Sequence, residues 1–502
     1  MSQDDTPRFT LTLPLQVSPE EHNVLVKSQQ ASRKIYNAVL GEALKRLDEM
    51  RRDKRWKQAG EIKKGTEKNK AYKNLKDYYG FNKRSLEIYQ KNIRNNGYLK
   101  DHINADVARP TFERAFNAVE EYLYGERGRP RFKPFQRLNS LQAKSARSDI
   151  IFNGTTVKYS TPLNKLVLPV KYDGRAKELA YVSEALENRL CFCRLVHRTI
   201  KGKDRWYVQL ILEGLPPIKE KHKKLFEQAK GKKVGIDTGP SKCAFFGEER
   251  NQQAYLTLAE KVDYQWKEVR RLQRKLDRSR RANNPQNYDH KGSIKRGQKL
   301  VWHKSNRYLK LETEYREMER ILTAMRFTSH GELTNIVLMM GDQVYLENVS
   351  YKAWQKLYGR SAKVRGAGMF QARVIRKALS AGGHVSLINT YTTKLSQYCH
   401  MRNDYVKKTL NDRVHVFPDG NTVHRDLYSA FLATCVVNND TLDKDEVNRK
   451  WKAVDSRLNN PISKQSLFGR KIAHSSKRGL DCKSYFGEII ADTVETRSEA
   501  FH

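Results

Sequence analysis

The chain has 502 residues, 96 of them Lys or Arg against 56 Asp or Glu, and its net charge of +40 is spread along the whole length. Such an excess repels itself inside a compact fold, so a polyanion is the natural partner. No apolar run of roughly 18 residues and no isolated Lys-rich amphipathic helix marks a membrane protein. The length suits roughly two to four domains. Six cysteines without a regular framework suit a reducing compartment, and the polar opening "MSQDDTPRF" reads as neither a signal nor a transit peptide. A soluble, intracellular nucleic-acid binder is the expectation.

"RFTLTLPLQV" (Arg8–Val17) alternates polar and apolar residues as a strand does. Ser18, Pro19, Glu20 and Glu21 form a capping-box helix start, after which Leu25, Ala31, Ile35, Val39, Ala43 and Leu47 recur at helical spacing. The basic segment from Arg51 to Lys76 could be a solvated helix face. With Trp56, Tyr72, Tyr78 and Tyr79 placed among its lysines, it also suits phosphate contact and base stacking. Helical patterning continues to about Tyr124, and "GRPRFKPF" (Gly128–Phe135) closes it. "IIFNGTTVKY", "KLVLPVKY", "LCFCRLVHRTI" and "RWYVQLILEG" then read as strands of an antiparallel barrel or sandwich. Arg8–Val17 joins them, which makes the helical region an insertion. Cys191 and Cys193 are expected to share a buried strand face, and Gly214–Lys233 reads as a linker.

From there the rhythm changes. "KKVGIDTGP", "CAFFG" and "AYLTL" read as three strands. A basic helix follows with Trp266, Val269, Leu272 and Leu276 inside and Arg270, Arg271, Arg274, Lys275 and Arg278 outside. Helices over about 305–325 and 332–340, strand "QVYLEN", helix "MFQARVIRKALSAGG", strand "HVSLINT" and helix "DLYSAFLATCVV" complete an α/β layout with a mixed sheet. Asp237 ends the first of these strands, Glu347 ends the fourth, and Asp426 starts the last helix. Each alone is weak evidence, since an Asp at a strand–turn junction is often only a turn former, and a similar turn occurs in actin-like sugar kinases. Together, in so basic a chain, they can meet at one sheet edge and bind the paired magnesium ions of phosphodiester hydrolysis, the ribonuclease H-like arrangement.

"VGIDTG", "VYLENVSYKAWQKLYGRS", "GAGMF", "TYTTKLSQYCH" and "HRDLYSAFLA", in this order, resemble the C-terminal half of TnpB proteins, transposon-encoded RNA-guided nucleases related to the compact type V CRISPR effectors. The resemblance is strongest from about Lys232 to Val437. It implies a multidomain α+β and α/β chain: a β-barrel wedge domain with an inserted helical recognition lobe, then a ribonuclease H-like (RuvC) mixed-sheet nuclease domain. The implied bounds are wedge strands at 1–17 and 146–215, the lobe at 18–145, a linker at 216–231, RuvC at 232–395 and 426–502, and a degenerate zinc-ribbon insert at 396–425. Asp237, Glu347 and Asp426 match the family's catalytic, magnesium-binding carboxylates. Arg270, Arg271, Arg274, Lys275, Arg131, Lys133, Trp354 and Arg360 are candidate nucleic-acid contacts; for Trp354, Tyr358 and Arg360 packing beneath the site is the equal alternative. The implied partners are one guide RNA per protein copy (omega-type or crRNA) and target double-stranded DNA, in a prokaryotic cytoplasm and on the nucleoid when bound.

In such relatives the stretch before the last aspartate is commonly a zinc ribbon. Here only Cys399 remains, Arg402 stands at its partner position, and Val416 and Asp419 stand at the second pair. A site rebuilt from His400, His415 or His424 is not favoured by spacing or ligand softness, so zinc is not expected. Packing of Val414, Val416 and Phe417 is expected to hold the stretch instead. The leading expectation is an RNA-guided, magnesium-dependent endonuclease that cuts both strands with one RuvC site. The alternative is an RNA-guided binder that represses and cuts little, supported by the degraded ribbon and opposed by the three intact carboxylates. A transposase or resolvase acting without RNA is disfavoured by the lack of helix-turn-helix or recombinase motifs.

Overall fold

The structure, a computed structural model, describes residues 6–135, 137–172, 176–218, 220–249, 252–359, 364–409, 412–459 and 461. Arg360 and the basic stretch "SKQSLFGRKIAHSSKRG" lie outside the described residues. The chain divides into two compact units, Met1–Gly214 and Leu215–His502.

In the first unit, strand β1 (Arg8–Leu15) turns Phe9, Leu11 and Leu13 into the core. Helix α1 (Pro19–Arg52) starts where expected because Ser18 and Glu21 cap each other: the Ser18 N–H donates to Glu21 Oε2 at 2.8 Å, and the Glu21 N–H donates to Ser18 Oγ at 3.2 Å. Leu25, Ile35, Val39, Ala43 and Leu47 form its fully buried stripe. Five further helices follow: α2 (Lys54–Glu61), α3 (Thr66–Tyr78), α4 (Lys83–Asn95), α5 (Leu99–His102) and α6 (Ala105–Leu123). Helix α6 packs along α1, with Ser32 and Thr111 hydroxyls 2.7 Å apart in the core.

The remaining strands are β2 (Ser140–Gln142), β3 (Ile150–Phe152), β4 (Thr156–Ser160), β5 (Lys165–Pro169), β6 (Leu190–Ile200) and β7 (Lys203–Glu213), with helix α7 (Ala176–Leu186) before β6. They form an antiparallel sheet in the order β1-β7-β6-β2 and a separate sheet in the order β3-β4-β5. The expected closed barrel is therefore not seen among the described residues. At three residues each, β2 and β3 are too short to zip the sheets together, and one bridge, Leu15 to Val170, is what joins β1 to the end of β5. Cys193 is buried but Cys191 only partly so, because the register shifts between Leu190 and Phe192 and breaks the alternation. The first turn of α1 is tied to the β6–β7 hairpin: the Trp206 indole N–H donates to His22 Nδ1 (3.1 Å), and His197 Nε2 lies 2.8 Å from Asp204 Oδ1.

The second unit opens with helix α8 (Glu220–Ala229) inside the stretch read as a linker; it packs on the long helix Asn306–Met340 and buries Ala229. Strands β8 (Lys233–Thr238), β9 (Lys242–Gly247) and β10 (Gln253–Thr257) run antiparallel in sequence. Helix α9 (Val262–Asn283) follows, then α10 (Asn306–Met340), β11 (Gln343–Glu347), α11 (Tyr351–Leu357), α12 (Ala367–Ser380) and β12 (His384–Ile388). The sheet order β10-β9-β8-β11-β12, with β8, β11 and β12 parallel, is the mixed sheet expected from the sequence. The two helices expected over 305–340 are one. Within it Gly331 seats Arg373, whose Nη2 would lie 2.7 Å from a Cβ there. Beyond β12 come helix α13 (Thr390–Thr393), hairpins β13–β14 (Tyr398–Cys399, Asp404–Tyr405) and β15–β16 (Val414–Val416, Thr422–His424), and helix α14 (Arg425–Ala433). Hairpin β17–β18 (Val436–Val437, Thr441–Leu442) and helix α15 (Lys444–Leu458) close the described chain. No helix among the described residues is long and apolar enough to cross a membrane.

Candidate active site

Side-chain alternation on two neighbouring strands builds the site. On β8, Val234 and Ile236 enter the core shared with α10 and α12, so Gly235 and Asp237 turn to the opposite face. On β11, Val344 and Leu346 enter that same core, which turns Tyr345 and Glu347 to the opposite face as well. The strands run parallel with Leu346 opposite Ile236, so Asp237 and Glu347 emerge side by side one residue further on.

Helix α14 covers this face, sending Leu427, Tyr428 and Phe431 into a core with Ala244 and Phe246 of β9. Gly235 sets how closely it lies: a Cβ there would stand 1.9 Å from the carbonyl oxygen of Ala430. His424 caps the helix through Nδ1, which accepts the Leu427 N–H at 3.4 Å. The helix thus brings Asp426, in its first turn, to the two strand ends.

The three carboxylates act on one another. Burial first, then the charges of Glu347 and Asp426, hold the Asp237 carboxyl well above its usual range. Burial and Asp426 push Glu347 up to about 7. Asp237 and Glu347 also keep part of their surface open to solvent. Hard carboxylate oxygens that raise one another's pKa and remain reachable from solvent fit magnesium ions.

Asp426 is held by groups the sequence reading did not single out. The Tyr255 hydroxyl on β10 donates to its Oδ2 at 3.1 Å, and burial together with that carboxylate pushes the phenol up to about 12, so it stays a donor. Arg425 places Nε and Nη2 each 3.1 Å from Oδ1. Arg413, with a largely exposed side chain, reaches Oδ2 at 3.6 Å. Tyr255 lies two strands away in the sheet and Arg413 thirteen residues upstream, so no local motif signals either.

The raised acids have a consequence for stability. An acid whose folded pKa is raised stabilises the fold below its unfolded value and loses that contribution as pH rises through the folded one. Glu347→Gln is therefore expected to raise the melting temperature of the magnesium-free protein at pH 8 by roughly 2–5 °C, and to change it little near pH 4. Thermal melts with and without chelator check this; equal effects at both pH values would mean the carboxylates do not interact.

The candidate nucleic-acid contacts are scattered. Arg270, Arg271 and Arg274 are exposed along α9 and Lys275 partly so; Arg271 already pairs with Glu268. Arg131 is exposed in the first unit, while Lys133 is half-buried with Nζ 5.6 Å from the Tyr36 ring. Trp354 packs edge-on against Tyr351 and Tyr358. Of the four aromatics in the basic helical segment, Trp56 and Tyr72 pack together, Tyr79 bonds Asp53, and Tyr78 alone is strongly exposed, at 70%.

In the stretch read as a ribbon remnant Phe417 packs inside as expected, but the two valines do not. Val414 and Val416 are exposed, while His415 and Phe417 are buried. Strand parity explains it: with Phe417 fixed among His400, Tyr428 and Trp451, residues 414 and 416 must point out.

No protein-family model and no curated protein matches this chain. Solved structures that resemble it include two CRISPR effector complexes. One is described as a cryo-EM structure of the Cas12f1–sgRNA–target DNA complex: 14% identical, covering 85% of this chain and 98% of that one, with a TM-score of 0.43. The other is a cryo-EM structure of a CRISPR-Cas12f ternary complex: 12% identical, covering 84% and 83%, with a TM-score of 0.26. At these TM-scores the likeness decides neither fold family nor activity.

Proposed function

We propose that the protein is an RNA-guided, magnesium-dependent DNA endonuclease that pairs a guide RNA with duplex DNA beside a short motif and cuts both strands at one RuvC-type site. The observation that carries this reading is the convergence of Asp237, Glu347 and Asp426 on one face of a mixed sheet in a chain of net charge +40. A cluster of acids is costly in any fold, and in a basic protein it must serve a partner that brings cations with it.

Magnesium ions held by Asp237, Glu347 and Asp426 would supply the Lewis acidity that activates water and stabilises the leaving oxygen. The chain's own residues orient and neutralise. Tyr255 and Arg425 fix the Asp426 carboxylate from opposite oxygens, so that it presents one geometry. Arg413 is exposed beside it and can turn to a phosphate oxygen, offsetting charge that grows as the bond breaks. Arg413→Ala is expected to slow cleavage about 10- to 100-fold and leave target binding within about twofold. Single-turnover cleavage and filter binding on the same preparation check it; equal loss in both assays would make Arg413 a binding residue instead.

The test of the guided reading is to express the chain with its native flanking DNA and sequence the RNA that co-purifies. One discrete RNA whose variable end dictates which duplex is bound supports it. No discrete RNA would remove it. Guide-matched binding without cleavage would point to a repressor.

A further inference from the structure

Beside the carboxylates lies a second group of buried polar side chains. Cys399, His400 and His415 are 2%, 6% and 1% exposed, enclosed by Phe417, Tyr428 and Trp451. A buried thiol with two imidazoles beneath two short hairpins has the composition of a zinc cage, so the deciding question is whether their lone pairs are free.

For His415 they are not: the Lys408 amine bonds its Nδ1, and as an ammonium donor it occupies that lone pair and leaves the ring hydrogen on Nε2. The Tyr428 hydroxyl accepts the backbone N–H of His400 at 3.2 Å and lies 2.9 Å from His400 Nδ1, so that nitrogen is engaged whichever of the two carries the proton. Burial holds both imidazoles down to about 4, so each is neutral with a single ring hydrogen. Neither Nε2 has a polar partner; the rings lie instead against aromatic faces, His400 4.2 Å from Trp451 and His415 4.5 Å from Phe417. A metal would therefore find one thiol and at most the His400 imidazole, too few donors for a closed zinc site, and it would meet the Lys408 charge beside His415.

We propose that the hairpins Tyr398–Tyr405 and Val414–His424 form a metal-free pair in which the Lys408 amine, on the chain between them and bonded to His415, joins them as a zinc ion would. The residues present do not fit zinc; they fit a lysine in its place. The tie anchors the segment whose Thr409 carbonyl accepts from Arg425 at 3.0 Å and which leads to Arg413. It holds whether or not the carboxylates cut DNA.

Four measurements on the full chain test it. Elemental analysis is expected to find less than about 0.1 zinc per protein, and a zinc-selective chelator in excess magnesium should move the melting temperature by less than about 1 °C. In 15N-histidine spectra, His415 should be neutral with hydrogen on Nε2. Lys408→Met should speed exchange of the Val406 and Arg425 amides roughly tenfold, the scale of one lost buried bond; these amides donate to Gln397 and Arg413 carbonyls. One equivalent of zinc whose removal lowers the melting temperature would overturn the proposal. So would hydrogen on Nδ1 of His415, or unchanged exchange in Lys408→Met. If that variant does not fold, zinc content and the His415 tautomer of the unaltered chain still decide.

Discussion

Asp237→Ala is expected to lower guided DNA cleavage by at least about a thousandfold while guide RNA and target DNA bind within about twofold of the unaltered protein. The asymmetry follows from where Asp237 sits. It ends β8 on the face of α14, beside Glu347 and Asp426, and its carboxyl is already held well above its usual range by burial and by those two neighbours. Removing it relieves repulsion in the metal-free fold, so the variant should melt no lower than the parent at pH 8. Lost activity with retained binding and retained stability is the signature of a group that acts on the reaction alone. A variant that cuts at a tenth of the parental rate or faster would mean that the three acids are not the hydrolytic centre.

Gly235→Ala is expected to cost about 2–4 kcal/mol of stability and to slow cleavage by about 100-fold, although it leaves every carboxylate in place. The added methyl would stand 1.9 Å from the Ala430 carbonyl oxygen and 3.1 Å from Thr434 Cγ2, and backbone cannot step aside as a flexible side chain can. Helix α14 must lift from the sheet and carry Asp426 away from Asp237 and Glu347. Gly65→Ala is the control, since nothing lies within 4 Å of a Cβ there. Denaturant melts and single-turnover cleavage on both variants make the comparison; equal behaviour would show that α14 is not seated through Gly235.

Much of this was legible in the sequence, and the parts that were not have physical reasons. Period-two and 3.6-residue patterning located most strands and helices, and the mixed sheet followed from the order of elements. The acids could be named because each ends a strand or begins a helix. What gathers them could not: the α14 contact at Gly235 is a long-range close approach that one glycine among 28 does not announce. Barrel closure was over-read because strand signals do not say which edges are long enough to pair. Val414 and Val416 were placed inside on hydrophobicity, whereas Phe417 and the neighbouring rings set the parity of that hairpin. The helix Glu220–Ala229 hid in a lysine-rich stretch that resembled a linker.

The most direct test of the central claim is single-turnover cleavage by the purified protein–RNA complex of a duplex that matches its guide, beside the same duplex with the match scrambled. The expected result is scission of both strands of the matched duplex alone, dependent on magnesium and absent from Asp237→Ala. Cutting that ignores the guide, persists without divalent cations or survives in Asp237→Ala would contradict it.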